Sequence, residues 1–362
     1  MIEEKHLHAI ALLAVIGLSA YLVYDGLFNK AGYFLPTFDN SMLHAGRARV
    51  VVDTGAWAEM ELVFGGITKS YHSPLYPDIA AGLSAVTGLS IWWAIRLASL
   101  LITGLLLPLS LYLLAKQVSG SWQAGVVAAL VAPSLPSLIT WGTRTSPISL
   151  GVVLVAFGIY FLAKEDYWIA GLVGLALAFT HQPSLLAFGL GLFAYFAVRT
   201  MLKARAQAKR DYIRLAHYAM PLFAVGSLTL GAYLVWHLRQ TGLDCLDFRC
   251  LPHLASHEYG SPVDLAKHLQ LLPRVLAVGG IALVAISNRF NFEHKLLLFS
   301  WLAALLILVK NDLLGVGVFT ERFLTFFDLA LAVFAGLLAG WAYALAKEFL
   351  GQLIERQARN KG

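Results

Sequence analysis

Apolar runs recur from residue 6 to residue 346, separated mostly by short polar links. That recurrence constrains the chain more than any motif does. The hydrocarbon core offers no water to backbone N–H and C=O groups, so a crossing segment must close its own hydrogen bonds. Runs of about 17–25 apolar residues do this as helices. The expected fold class is an all-α polytopic membrane protein with about ten transmembrane helices. Candidate spans are 7–28, 91–115, 122–139, 147–163, 167–181, 183–200, 217–237, 272–287, 295–310 and 323–346. Pro183, in "THQPS", is well placed to open the helix that follows it.

Composition agrees. Of 362 residues, 59% are hydrophobic and 13% charged, where a soluble domain carries about a quarter charged. The first run, "HLHAIALLAVIGLSAYLVYDGLF", is too long for a signal-peptide core and lacks a small-residue cleavage site, so it reads as a retained helix. A net charge of +6 suggests nucleic acid at first sight. The Lys and Arg residues, however, sit between and after apolar runs, where cytoplasmic helix ends concentrate them. Topology explains the charge without a nucleic-acid partner.

Segment 73–90, "SPLYPDIAAGLSAVTGLS", is only moderately apolar. If it does not span and residue 1 is cytoplasmic, the basic block "RTMLKARAQAKRDYIR" and the tail "KEFLGQLIERQARNKG" fall inside, with Lys116, Lys164, Arg289 and Lys295. If it spans, the block and tail land outside, against the positive-inside bias. We therefore expect 73–90 to lie at the outer interface and both termini to be cytoplasmic. The chain reads as a single transmembrane domain over 1–362, with a first outer loop at 29–90 and a second at 238–271. Shorter outer segments are 140–147, 180–184 and 311–322.

Nearly all the polar chemistry lies in these outer segments. Asp39 and Asn40 are good N-caps, and "SMLHAGRARVVVDTG" reads as a helix closed by Gly55. On it His44 and Arg47 face one side, while Arg49 and Asp53 form an i, i+4 pair. Asp39 reads either as a capping carboxylate or as a general base with cations nearby to hold an anionic substrate. His72, Tyr76 and Asp78 flank two prolines in "KSYHSPLYPDIAAGL", an edge that can line a site or form an aromatic belt.

This loop resembles that of the GT-C membrane glycosyltransferases, a superfamily that includes the oligosaccharyltransferase catalytic subunit, the protein O-mannosyltransferases and the aminoarabinose transferases. The likeness rests on an early membrane helix, then "FDNSMLHAGRARVVVDTGAW", an Asp followed by an Arg-bearing helix, then "SYHSPLYP", similar to their proline-containing signature. It is specific over about residues 7–165. The resemblance implies that Asp39 is the catalytic carboxylate. It also implies a donor sugar on a polyprenyl phosphate or pyrophosphate carrier, and an extracytoplasmic acceptor that is a glycan, lipid or protein. Something cationic must then stabilise the leaving phosphate: Arg144 in "WGTRTSP", Arg322 in "FTERFL" and Lys310 are the candidates, each of which also reads as a snorkelling interface residue, and His181 in "AFTHQPS" can touch the donor headgroup or cap a turn. Substrate binding falls to His44, Arg47, His72, Tyr76, Asp78 and His181.

One departure is that "ITWGTRTSPIS" has no acidic residue where metal-dependent relatives carry some. That puts a divalent metal (Mg or Mn) in doubt, although Asp53, Glu59, Glu61 and Asp78 offer oxygen ligands. The chain ends with its last helix, without the large soluble domain by which some relatives bind acceptors, which argues against a sequon-reading transferase. Cys245 and Cys250 can form a loop disulfide or remain thiols. His253, His257 and His268 share that loop, as candidate metal ligands or as a cover over the site. Two further readings stay open: a transporter or lipid-linked-sugar flippase, for which Asp328 is the clearest mid-helix charge, and a non-catalytic GT-C-like scaffold.

Overall fold

The computed structural model describes residues 4–30, 39–56, 73–142, 144–206, 226–227, 231, 234–235, 263–265 and 270–359. Among these there is no β-strand. Twelve helices are labelled in chain order below. α1 (Glu4–Tyr24) runs on into a wider π-helical turn at Asp25–Lys30. α2 (Asp39–Thr54) and α3 (Leu75–Thr87) follow, both ended by a left-handed glycine, Gly55 and Gly88. α4 is the long span Ile91–Ser119, with a π-type stretch at Leu100–Leu106. α5 (Trp122–Val131) passes through a 3₁₀ turn at Ala132–Ser134 into the short α6 (Pro136–Gly142). α7 (Pro147–Ala163), α8 (Tyr167–Ala178) and α9 (Gln182–Ala206) come next. The last three are α10 (Leu271–Ile286), α11 (Phe292–Val309) and α12 (Thr320–Arg359).

Among the described residues five helices are long and apolar enough to cross a membrane: His6–Asn29, Ile91–Ser119, Gln182–Leu202, Phe292–Val309 and Thr320–Gln357. α5, α7, α8 and α10 are shorter apolar helices. The expected spans thus appear as helices wherever the residues are described; most of the 217–237 run lies outside them. The expected span 122–139 is two helices, because Pro133 and Pro136 break the ladder where their missing N–H groups cannot bond back. α12 continues well past residue 346, and at about 1.5 Å per residue its forty residues reach about 60 Å, twice the hydrocarbon thickness.

Small residues bring the helices close. A Cβ on Gly280 of α10 would overlap the backbone carbonyl of Phe334 on α12, and one on Gly336 would overlap the Ala124 carbonyl of α5. Without a hydrophobic drive between helices in lipid, such close backbone packing is what holds a bundle together. α12 is the central post: it packs on α5, α10 and α11 and buries Phe323, Phe326 and Phe334.

The two ends of the bundle differ. At one end His294 of α11 places Nδ1 3.3 Å from the Val118 carbonyl and Nε2 3.1 Å from the Ala163 carbonyl, acceptors in the last turns of α4 and α7. Beside it Arg199 bonds Glu293 at 3.1 Å and the Tyr167 hydroxyl at 3.0 Å, and Tyr195 donates to Glu293 at 3.0 Å. Arg289 reaches Glu348 at the same end. The other end gathers residues 73–76, 144–146, 178–184 and 310–322. It is the end that holds the candidate site.

Candidate functional site

The first cluster forms where α2, α3 and α4 meet. α2 is amphipathic in the expected sense: Ala45 and Ala48 are fully buried with His44 and Arg47, while Arg49 bonds Asp53 at 3.3 Å on the exposed side. The prolines at 74 and 77 fix the start of α3 and set Tyr76 into the core at 0% exposure. Its hydroxyl lies 2.7 Å from Ser99 Oγ on α4, and its ring meets the His44 ring edge-on at 5.9 Å. Burial raises the Tyr76 hydroxyl above its ordinary range, so it stays neutral and serves as a hydrogen-bonding group. Burial likewise pushes Arg47 down to about 9, which leaves it a cation at neutral pH. The partly buried carboxyl of Asp78 is pushed up to about 6 by burial.

Two contacts tie α3 to the far part of the chain. The Leu75 N–H donates to the Phe179 carbonyl at 2.8 Å, and Ser73 Oγ reaches the Ala178 carbonyl at 3.5 Å. Just beyond, His181 is buried at 8% exposure with Nδ1 2.8 Å from Ser184 Oγ. Gly151 of α7 makes room for it, since a Cβ there would overlap Ser184. The Tyr76 cluster and His181 are therefore neighbours, although more than a hundred positions separate Tyr76 from His181 in the chain.

The second cluster lies where the segment after α6 meets the start of α12. Arg144 lays its guanidinium over the Trp141 ring at 4.5 Å. Burial lowers its pKa, and the nearby Glu321 carboxylate opposes that shift. Arg322 stacks over Phe319 at 5.0 Å. Phe319 is held at φ 55°, a left-handed conformation that a bulky residue adopts only under constraint. That constraint comes from Asn311, whose side chain bonds both the N–H and the carbonyl of Val318, at 3.0 and 2.7 Å. Lys310 is engaged with Asp312 at 3.1 Å and the Val263 carbonyl at 3.3 Å.

Asp39 is the first residue of α2, and its side chain lies outside the described residues. So do His72, Glu59, Glu61, both cysteines and His253, His257 and His268. Among the described residues no three His, Cys, Asp or Glu side chains converge on a point that could hold a metal ion. The structure adds residues that sequence reasoning missed. Arg96 is buried on α4 between the Phe28 and Trp93 rings, 5.4 Å from each centroid. Its signal was a lone cation inside the apolar 91–115 run. Ser99 and Glu321 join the site through neighbours distant in sequence, which no local pattern marks. The Asp328 carboxylate, buried in α12, accepts the Ser137 hydroxyl of α6.

DUF6541, a family of unknown function, matches residues 3–316. The chain belongs to this family. No curated protein matches it. The DUF6541 chain has the fold of the GT-C enzymes. It is similar to ArnT from Cupriavidus metallidurans bound to undecaprenyl phosphate, with TM-score 0.65 and 14% identity over 97% of this chain and 63% of that one. It is also similar to the archaeal oligosaccharyltransferase AglB from Archaeoglobus fulgidus, in complex with an inhibitory peptide and a dolichol-phosphate. There the TM-score is 0.64 and the identity 13%, over 99% of this chain and 52% of that one. The DUF6541 chain thus spans between about half and two thirds of the length of these proteins. At such identity the likeness establishes the fold alone; the long apolar helices of this chain are what mark it as an integral membrane protein.

Proposed function

We propose that this DUF6541 protein is a GT-C-type glycosyltransferase that moves a sugar from a polyprenyl-phosphate or pyrophosphate carrier to an extracytoplasmic acceptor. The observation that carries the reading is the gathering of cations at one end of the bundle. Arg144 and Arg322 lie on aromatic rings beside Glu321, and Arg47 is buried beside the Tyr76 cluster, which the Leu75–Phe179 bond ties toward His181. The solved structures of similar fold hold undecaprenyl phosphate and dolichol-phosphate, and a phosphate at a membrane edge requires such cations.

In this reading the acceptor hydroxyl or amide gives its proton to Asp39 as its oxygen or nitrogen attacks the sugar anomeric carbon. The bond from that carbon to the carrier phosphate oxygen breaks. The negative charge left on the phosphate is met by Arg144 and Arg322, with Lys310 as a further cation. His44, Arg47, His72, Tyr76, Asp78 and His181 shape the sugar and acceptor sites. The site end faces away from the cytoplasm. The placement of Lys116, Lys164, Arg289 and Lys295 at or beyond the helix ends remote from the site supports this orientation.

The test follows labelled sugar leaving the lipid fraction, with the chain in nanodiscs, a panel of undecaprenyl-phosphate-linked sugars and a membrane extract as acceptor source. Asp39→Asn should express normally and lower transfer by about 100-fold or more. Undiminished transfer in that variant refutes the assignment.

A further inference from the structure

α6 is seven residues long and is set off from α5 by Pro133, a 3₁₀ turn and Pro136. A helix this short has no stability of its own, so its register must come from what it packs on. It packs on α12. On the start of α12 Glu321, Thr325 and Asp328 are spaced i, i+4, i+7 and therefore lie on one face. Asp328, 2% exposed, takes the Ser137 hydroxyl on one oxygen; the other has no hydrogen-bond partner among the described residues. At the other end of the stripe Glu321 acts on Arg144. Ser137 meets Asp328 while Arg144, further along the chain, lies near Glu321, so the two segments run antiparallel with a polar interaction at each end.

A buried carboxylate in a membrane span is costly and marks a functional position unless packing alone explains it. Apolar packing would hold two helices together but would let a seven-residue helix slide or rotate. A hydrogen bond from Ser137 fixes one point on it. We infer that Asp328 is a positioning residue: through Ser137 it sets the register of α6 on α12 and so places the Arg144 guanidinium for an anionic lipid phosphate. This rests on the reading of Arg144 given above.

The test measures binding of undecaprenyl phosphate to the full chain in nanodiscs, together with the thermal midpoint, across a double-mutant cycle. Arg144→Ala should weaken binding by about tenfold, and Asp328→Ala by about five- to tenfold. In the Arg144→Ala background Asp328→Ala should cost less than about twofold, because the group it positions is gone. Asp328→Asn, which still accepts the Ser137 hydroxyl, should bind within about threefold of wild type. Ser137→Ala provides the same comparison by removing a single partly buried hydroxyl, should Asp328→Ala fail to fold. A purely structural role would lower the midpoint and change binding by the same factor in both backgrounds, and that result overturns the inference. Loss in Arg144→Ala with full binding in both Asp328→Ala and Ser137→Ala also overturns it, leaving the phosphate reading intact. Full binding by Arg144→Ala overturns both.

Discussion

Asp78 occupies the first turn of α3, where unpaired backbone N–H groups favour an anion, yet burial pushes its carboxyl up to about 6 from an ordinary 3.8. Between those values the folded chain holds a proton that the unfolded chain has released. Stability therefore falls as pH rises through that window and is level above it. Asp78→Asn stays neutral and lacks this slope. Its midpoint should match wild type near pH 4 and exceed it by on the order of a degree or two above pH 6.5; parallel curves would contradict the burial described for Asp78. At this scale the sequence was informative where spacing carried the information. His44 and Arg47 share the buried face that their i, i+3 separation requires, and Arg49 with Asp53 forms the expected exposed pair. It was silent where a contact is made across the fold. Nothing local to Ser99 announces Tyr76, and nothing local to Ser137 announces Asp328.

Among elements, helices were legible from apolar length and their ends from proline and glycine. Gly55 closes α2 as expected, Gly88 closes α3 in the same way, and Pro183 sits in the first turn of α9. The interruption at 132–136 was less legible, because the run stays apolar through it and only the prolines mark the break. The end opposite the site carries specific polar contacts between helices beside its apolar packing. His294 faces two helix C-terminal carbonyls. Replacing it with leucine keeps bulk but leaves those carbonyls without the ring, which should cost about 1–3 kcal/mol and lower the midpoint by several degrees. An unchanged midpoint would show that lipid or water serves those carbonyls equally well.

The whole molecule is a bundle with two unlike ends, one carrying the His294 and Arg199 contacts and the other the candidate site. Lys116, Lys164, Arg199 and Arg289 lie at the end of the His294 contacts, and Arg144 and Arg322, over Trp141 and Phe319, at the other. The meeting of residues near 76, 144, 181 and 321 at one end was expected only through topology, since each lies in a different link between helices. Their pairing partners required coordinates. The direct measurement is a cryo-electron microscopy structure of the chain in nanodiscs with undecaprenyl phosphate. The proposed site predicts phosphate density within about 2.7–3.2 Å of the Arg144 or Arg322 guanidinium, with the Asp39 carboxylate facing the same cavity. Phosphate bound at the opposite end, or Asp39 turned away from both arginines, would contradict it.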